Sequence, residues 1–131
     1  HVNAGSCNGC DIEIVAALTP RYDAERLGFR LAGSPRQADI VVVSGPVTRQ
    51  TRDRVIRTIA QVPEPRVIVS VGSCPRSGNV FKGSYAIDGP LEKWVHVDVS
   101  VAGCTPKPEA IMAGLAKATE ILKEKRKEMR K

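Results

Sequence analysis

Aromatic side chains are scarce in this sequence: Tyr22, Phe29, Phe81, Tyr85 and Trp94 are all it has. With so few rings and no basic–aromatic motif on which bases could stack, nucleic acid is not an expected partner. Long apolar runs are missing too. Residues 14–18 and 40–43 are only fragments of the about 18–20 residues that a membrane-spanning helix needs. There is no Walker loop, no second metal motif and no nucleophile–base pair in a defined context, so no residue set performs substrate chemistry by itself. Internal repeats and low-complexity linkers are absent as well. What remains is ordinary: 131 residues, 42% hydrophobic and 26% charged, suited to one soluble globular domain rather than a disordered chain. The chain opens on His1 rather than Met, and a leading segment is expected ahead of it.

The net charge of +6 is concentrated at one end. Residues 117–131 hold seven Lys/Arg against three Glu, a net of +4, which leaves the rest of the chain near neutral. Such a run reads first as a solvated helix end, where cations suit the helix dipole, and second as a docking surface for an acidic partner or membrane.

The chain repeats a pattern of apolar strand, glycine-containing turn, then helix or long loop. Residues 40–44 run into Gly45-Pro46, residues 67–71 into Gly72-Ser-Cys74-Pro75, and residues 96–101 into Ala-Gly103-Cys104-Thr-Pro106. The first two are nearly continuous β-branched runs, as expected of strands covered on both faces, and the third alternates like an edge strand. Helical spacing marks residues 48–62, stopped by Pro63 and Pro65, and residues 108–122, opened by Pro108. A shorter helix is expected over 10–18, with Asp11 and Glu13 in its first turn. The expected fold is therefore a doubly wound α/β domain with a mostly parallel sheet, interrupted by a turn-rich excursion at 75–90.

Cys7, Cys10, Cys74 and Cys104 are the only cysteines, spaced C-x2-C, 63 residues, C, 29 residues, C. Each of the last two directly follows a predicted strand. Cys7 sits just past His1–Val2, read as the remnant of another. In an open α/β sheet the loops at the carboxyl ends of the strands converge on one edge, so all four sulfurs can meet there. Four such thiols admit an iron–sulfur cluster, a structural zinc, disulfides, a thioredoxin-like pair or buried bystanders. The split second pair is unusual for zinc, and the chain is large for a disulfide scaffold. A cluster accepts ligands from separated glycine-containing loops.

The segments Cys7-Asn-Gly-Cys10-Asp-Ile-Glu13, Val71-Gly-Ser-Cys74-Pro-Arg-Ser-Gly78 and Val97-Asp-Val-Ser-Val-Ala-Gly-Cys104-Thr-Pro-Lys-Pro-Glu-Ala110 resemble the cluster-binding motifs shared by [NiFe]-hydrogenase small subunits and the matching small subunit of respiratory complex I. The resemblance implies a flavodoxin-like domain over 1–122, followed by a basic helix end or tail over 123–131. It also implies one [4Fe-4S] cluster held by Cys7, Cys10, Cys74 and Cys104. The Asn-Gly between the first two cysteines is hydrogenase-like, since the complex I subunit has them adjacent. The short chain without further cysteines is similar to the membrane-bound, energy-converting hydrogenases and their sulfane-reducing relatives.

Implied partners are a [NiFe]-hydrogenase-like large subunit, a ferredoxin-like iron–sulfur subunit and membrane-embedded ion-translocating subunits, with the chain held peripherally on the cytoplasmic side. The implied role is an electron relay for hydrogen evolution, or for sulfane-sulfur or quinone reduction. A zinc-stabilised binding module is the rival from another class. Around the cysteines, Gly9, Gly72 and Gly103 are candidates for backbone N–H groups close to the cluster, Arg76 and Lys107 for charges at its rim, and Arg49 for a contact with the large subunit. Glu13 is the candidate proton-coupling acid. His96 is expected at the start of a strand without a ligand role.

Overall fold

The β-branched runs form the strands they suggest. In the computed structural model, which describes residues 1–130, the elements run β1 (Val2–Asn3), α1 (Gly9–Leu18), β2 (Ile40–Ser44), β3 (Val47–Thr48), α2 (Arg52–Ala60), β4 (Val67–Val71), α3 (Ser73–Ser77), β5 (Ile87–Gly89), β6 (Val99–Val101) and α4 (Pro108–Met129). Four strands make an all-parallel sheet in the order β1-β2-β4-β6, with Val42 opposite Val69 and Val69 opposite Val99. The fold is a flavodoxin-like α/β domain.

Strand periodicity divides the apolar side chains between two cores. Val41, Val43 and Ile68 pack with Val55 and Ile59 of α2, and with Val62 and Leu91. Val67, Val69, Val71, Val99 and Val101 face the other way, onto Ile111, Ala118 and Leu122 of α4 and Cys10 of α1. Each fully buried Val, Leu or Ile contributes about 1.5–3 kcal/mol relative to exposure, so β4, buried at every position, is the keel of the domain. Helix α4 lies close to β6 because Gly114 faces it: a Cβ there would sit 2.4 Å from Val101 Cγ2.

Several boundaries differ from expectation. The helix expected from residue 48 begins at Arg52, because Val47 and Thr48 are taken up by an antiparallel ribbon with β5. The Arg49 N–H donates to Ala86 O at 2.9 Å instead of entering a helix, and the Thr48 and Thr51 hydroxyls, 2.7 Å apart, close the turn. Strand β6 starts at Val99 rather than residue 96. Helix α4 continues past Leu122 to Met129, because Lys125 and Arg126 find carboxylates elsewhere in the fold: Lys125 on Asp98 at 2.6 Å and Arg126 on Asp39 at 2.7 Å. Lys123, Lys127 and Arg130 are solvated, as a basic helix end predicts, and Lys131 lies outside the described residues.

Candidate functional site

Because β1, β4 and β6 run parallel, the loops that leave them open on one edge, and these loops carry all four cysteines. The loops are tied to one another in pairs. Between the second and third, the Gly72 N–H donates to Val101 O at 2.8 Å and the Ser73 N–H to Gly103 O at 2.9 Å. The first loop abuts the second at Gly72, where a Cβ would lie 2.6 Å from Cys10 Sγ. It abuts the third at Gly9, where a Cβ would lie 2.7 Å from Thr105 Cγ2 and 3.6 Å from Cys7 Sγ. Gly72 also has φ +94° and ψ 169°, a backbone region open in practice only to glycine. At Gly9 and Gly72 the loops therefore approach too closely for a side chain. At Gly103, φ is +143° and a Cβ would meet Pro106 Cα at 2.8 Å, so its absent side chain makes room for the turn.

Within the first loop, Asn3 Oδ1 accepts the N–H groups of Gly5 (2.9 Å) and Ser6 (2.8 Å), and Ser6 Oγ accepts that of Asn8 (3.0 Å). Asn8 takes a left-handed conformation, φ 70°, and the chain enters α1 at Gly9.

All four cysteines are free thiols; Cys10 is buried, Cys74 half-buried, and Cys7 and Cys104 exposed. They share one electrostatic neighbourhood. Burial pushes the Cys10 thiol up to about 11, with Cys74, Cys7, Asp11 and Cys104 adding to the rise. The Cys74 thiol is also raised, first by burial and then by Cys104 and Cys7, against a hydrogen bond from the Asn79 side chain that lowers it. Among the described residues, no three Cys, His, Asp or Glu side chains come together as a single metal ion requires. By its chemistry this donor set, four free thiols on three adjacent loops, is one that would hold a polynuclear iron–sulfur cluster.

A raised thiol pKa has a measurable consequence in the metal-free chain. Cys10 stays protonated where an ordinary thiol near 8.5 ionises, so iodoacetamide mapping at pH 8 is expected to label Cys10 last, its rate climbing until about pH 11. The sign for stability follows. The unfolded chain gives up this proton first, so the metal-free fold loses stability as pH rises from about 8.5 toward the folded-state value. Labelling of Cys10 as fast as Cys7 at pH 8 would contradict this burial.

The other candidates are less involved. Arg49, Arg76 and Lys107 are solvent-exposed. Glu13 lies in the second turn of α1, half-buried, and its carboxylate has no hydrogen-bond or ion-pair partner among the described residues. His96 precedes β6, at the sheet edge opposite the cysteines, exposed and 3.6 Å from Asp98. Sequence reasoning passed over Ser44, which ends β2 fully buried with its hydroxyl on Asp11. A serine closing an apolar strand carries no signal of such a contact. Apolar side chains also stand exposed along the chain near the cysteines: Ile12 and Val15 on α1, and Val80, Phe81 and Tyr85 in the excursion after Cys74.

A flavodoxin-like domain with four free thiols on its carboxyl-edge loops is a recognisable class. Residues 7–118 match the family described as NADH ubiquinone oxidoreductase, 20 Kd subunit, and the chain belongs to that family of oxidoreductase-complex subunits. It is 56% identical, over 93% of its length and 73% of the relative's, to the probable membrane-bound hydrogenase subunit mbhJ of Pyrococcus furiosus. It is 44% identical to formate hydrogenlyase subunit 7 of Escherichia coli K12, covering 95% of this chain but 49% of that one. Among solved structures, a chain of the membrane-bound sulfane sulfur reductase, an archaeal respiratory membrane complex, superposes with a TM-score of 0.81 at 39% identity, covering 93% of this chain and 70% of that one. Among the described residues no helix is long and apolar enough to cross a membrane.

Proposed function

We propose that this chain is an electron-relay subunit of a membrane-bound, ion-pumping [NiFe]-hydrogenase-like complex, and that it holds one [4Fe-4S] cluster through Cys7, Cys10, Cys74 and Cys104. The observation that carries the reading is that four free thiols stand on three adjacent loops at one sheet edge, two of those loops hydrogen-bonded to each other. When bound, such a cluster takes up and releases one electron at a time.

The chain's own residues do the holding. Cys10 anchors the site against the second core, Gly72 admits its sulfur against the β4 turn, and Cys7 and Cys104 lie where a partner can cover them. Ile12, Val15, Val80 and Phe81 supply the apolar surface on which a hydrogenase-like large subunit docks. Electrons arrive from a ferredoxin-like iron–sulfur subunit and leave to that large subunit. The chain sits peripherally on the cytoplasmic side, held through its partners and through them to the ion-translocating membrane subunits.

Hydrogen evolution is the favoured overall reaction, since the higher identity is to a hydrogenase subunit. The structural likeness to the sulfane sulfur reductase supports a second reading, the same relay feeding a sulfur-reducing centre.

Elemental analysis of the anaerobically purified native complex separates these. Iron and acid-labile sulfide with stoichiometric nickel are expected. Iron and sulfide without nickel would keep the relay and move the acceptor to sulfur or quinone. Zinc alone would overturn the cluster.

A further inference from the structure

Asp11 stands one residue past Cys10, where an acid in the first turn of α1 would ordinarily answer the helix dipole. Its oxygens are engaged elsewhere. Oδ1 accepts the Ser44 hydroxyl at 2.5 Å and Oδ2 accepts the Asn3 amide at 3.0 Å. His1 Nε2 lies 2.9 Å from both Oδ1 and Ser44 Oγ. Asn3 and Ser44 are partners across the β1–β2 ladder, at the very ends of both strands. Asp11 therefore ties the start of α1 to two adjacent strand ends.

Asn3 completes the arrangement, because its amide nitrogen goes to Asp11 while its oxygen takes the N–H groups of Gly5 and Ser6. The loop carrying Cys7 is thus held from Asn3 on one side and from Asp11 on the other. Ser44 is fully buried and the Asp11 side chain is only 17% exposed, so water screens little of this charge from Cys10.

We propose that Asp11 is the positioning residue of the Cys7–Cys10 loop and that its charge, held in place by Ser44 and Asn3, lowers the reduction potential of the cluster. The inference rests on the function proposed above. Reduction adds one electron to a cluster that is already anionic with its four thiolates, and a fixed carboxylate beside Cys10 makes that addition less favourable. Asp11→Asn keeps the shape and removes the charge. Ser44→Ala keeps the charge and removes the pin.

The test uses the anaerobically purified whole complex, where the EPR signal abolished by Cys74→Ser belongs to this cluster. Asp11→Asn is expected to shift the midpoint of that signal to higher potential with iron content unchanged. Ser44→Ala is expected to shift its g-values and to speed iron loss to a chelator several-fold. Wild-type potential and g-values in both iron-loaded variants would overturn the proposal. If Asp11→Asn fails to load iron, Ser44→Ala decides alone, and wild-type g-values and chelator resistance there overturn it. If neither Cys74→Ser nor Cys10→Ser removes an EPR signal from the complex, the cluster reading itself fails and takes this proposal with it.

Discussion

Cys74→Ser is expected to leave the subunit folded and assembled while cutting electron throughput of the complex more than about 100-fold. Loss of a ligand should exceed the 10–100-fold typical of changing a residue that only supports one. Cys74 is half-buried in the short helix α3 at the sheet edge, outside both cores, so exchanging its sulfur for oxygen removes no packing contact of consequence. Gly72→Ala probes the same site without touching a thiol. It forces an L-residue to φ +94° and drives a methyl to 2.6 Å from Cys10 Sγ, so either the β4 turn or the Cys10 side chain must move. Iron content and oxidoreductase activity should fall together in both variants, with the subunit still co-purifying. Full activity with full iron in Cys74→Ser would remove that residue from the ligand set.

Much of this site was legible because its determinants are local. The runs at 40–44 and 67–71 are β-branched throughout, each distal cysteine follows a strand end directly, and a parallel sheet gathers such ends whatever the loop lengths. The β3–β5 ribbon was hidden for the opposite reason. It joins Val47–Thr48 to Ile87–Gly89 across about forty residues, and Val47, fully buried, reads from sequence as one more apolar position beside the following helix. The same holds for Asp11. As a helix-start acid it had an adequate local explanation, and only the adjacency of β1 and β2 shows that Ser44 and Asn3 use its oxygens. Helix α4 was read short because its apolar periodicity ends at Leu122, while the contacts that hold its last turns are made with Asp98 and Asp39, distant in sequence.

Those contacts support the second large effect, this time on stability. Asp98 is 7% exposed at the side chain, and its carboxylate accepts two hydrogen bonds: Oδ2 from the Ile68 N–H at 2.8 Å, and Oδ1 from Lys125 Nζ at 2.6 Å. Lys125 also donates to Arg66 O at 2.9 Å, so one carboxylate joins α4 to the amino ends of β4 and β6. Breaking a buried pair by removing one partner costs about 3–5 kcal/mol. Lys125 is one-third exposed, which lowers that figure, while the orphaned Ile68 N–H adds to it. Asp98→Ala should therefore cost about 2–4 kcal/mol.

Asp98→Asn is the informative companion, since an amide oxygen still accepts from Ile68 while the ion pair is lost; its cost should be smaller, about 1–2 kcal/mol. Anaerobic denaturant unfolding reads both, as lower midpoints at unchanged slope. Because Asp98 stands at the edge opposite the cysteines, the g-values of the folded fraction should match wild type. That separates a clamp on α4 from any part in the redox site. Equal losses for Ala and Asn would place the whole effect in the ion pair, and a spectroscopic shift in either would mean that α4 passes strain to Cys10 through its contact with α1.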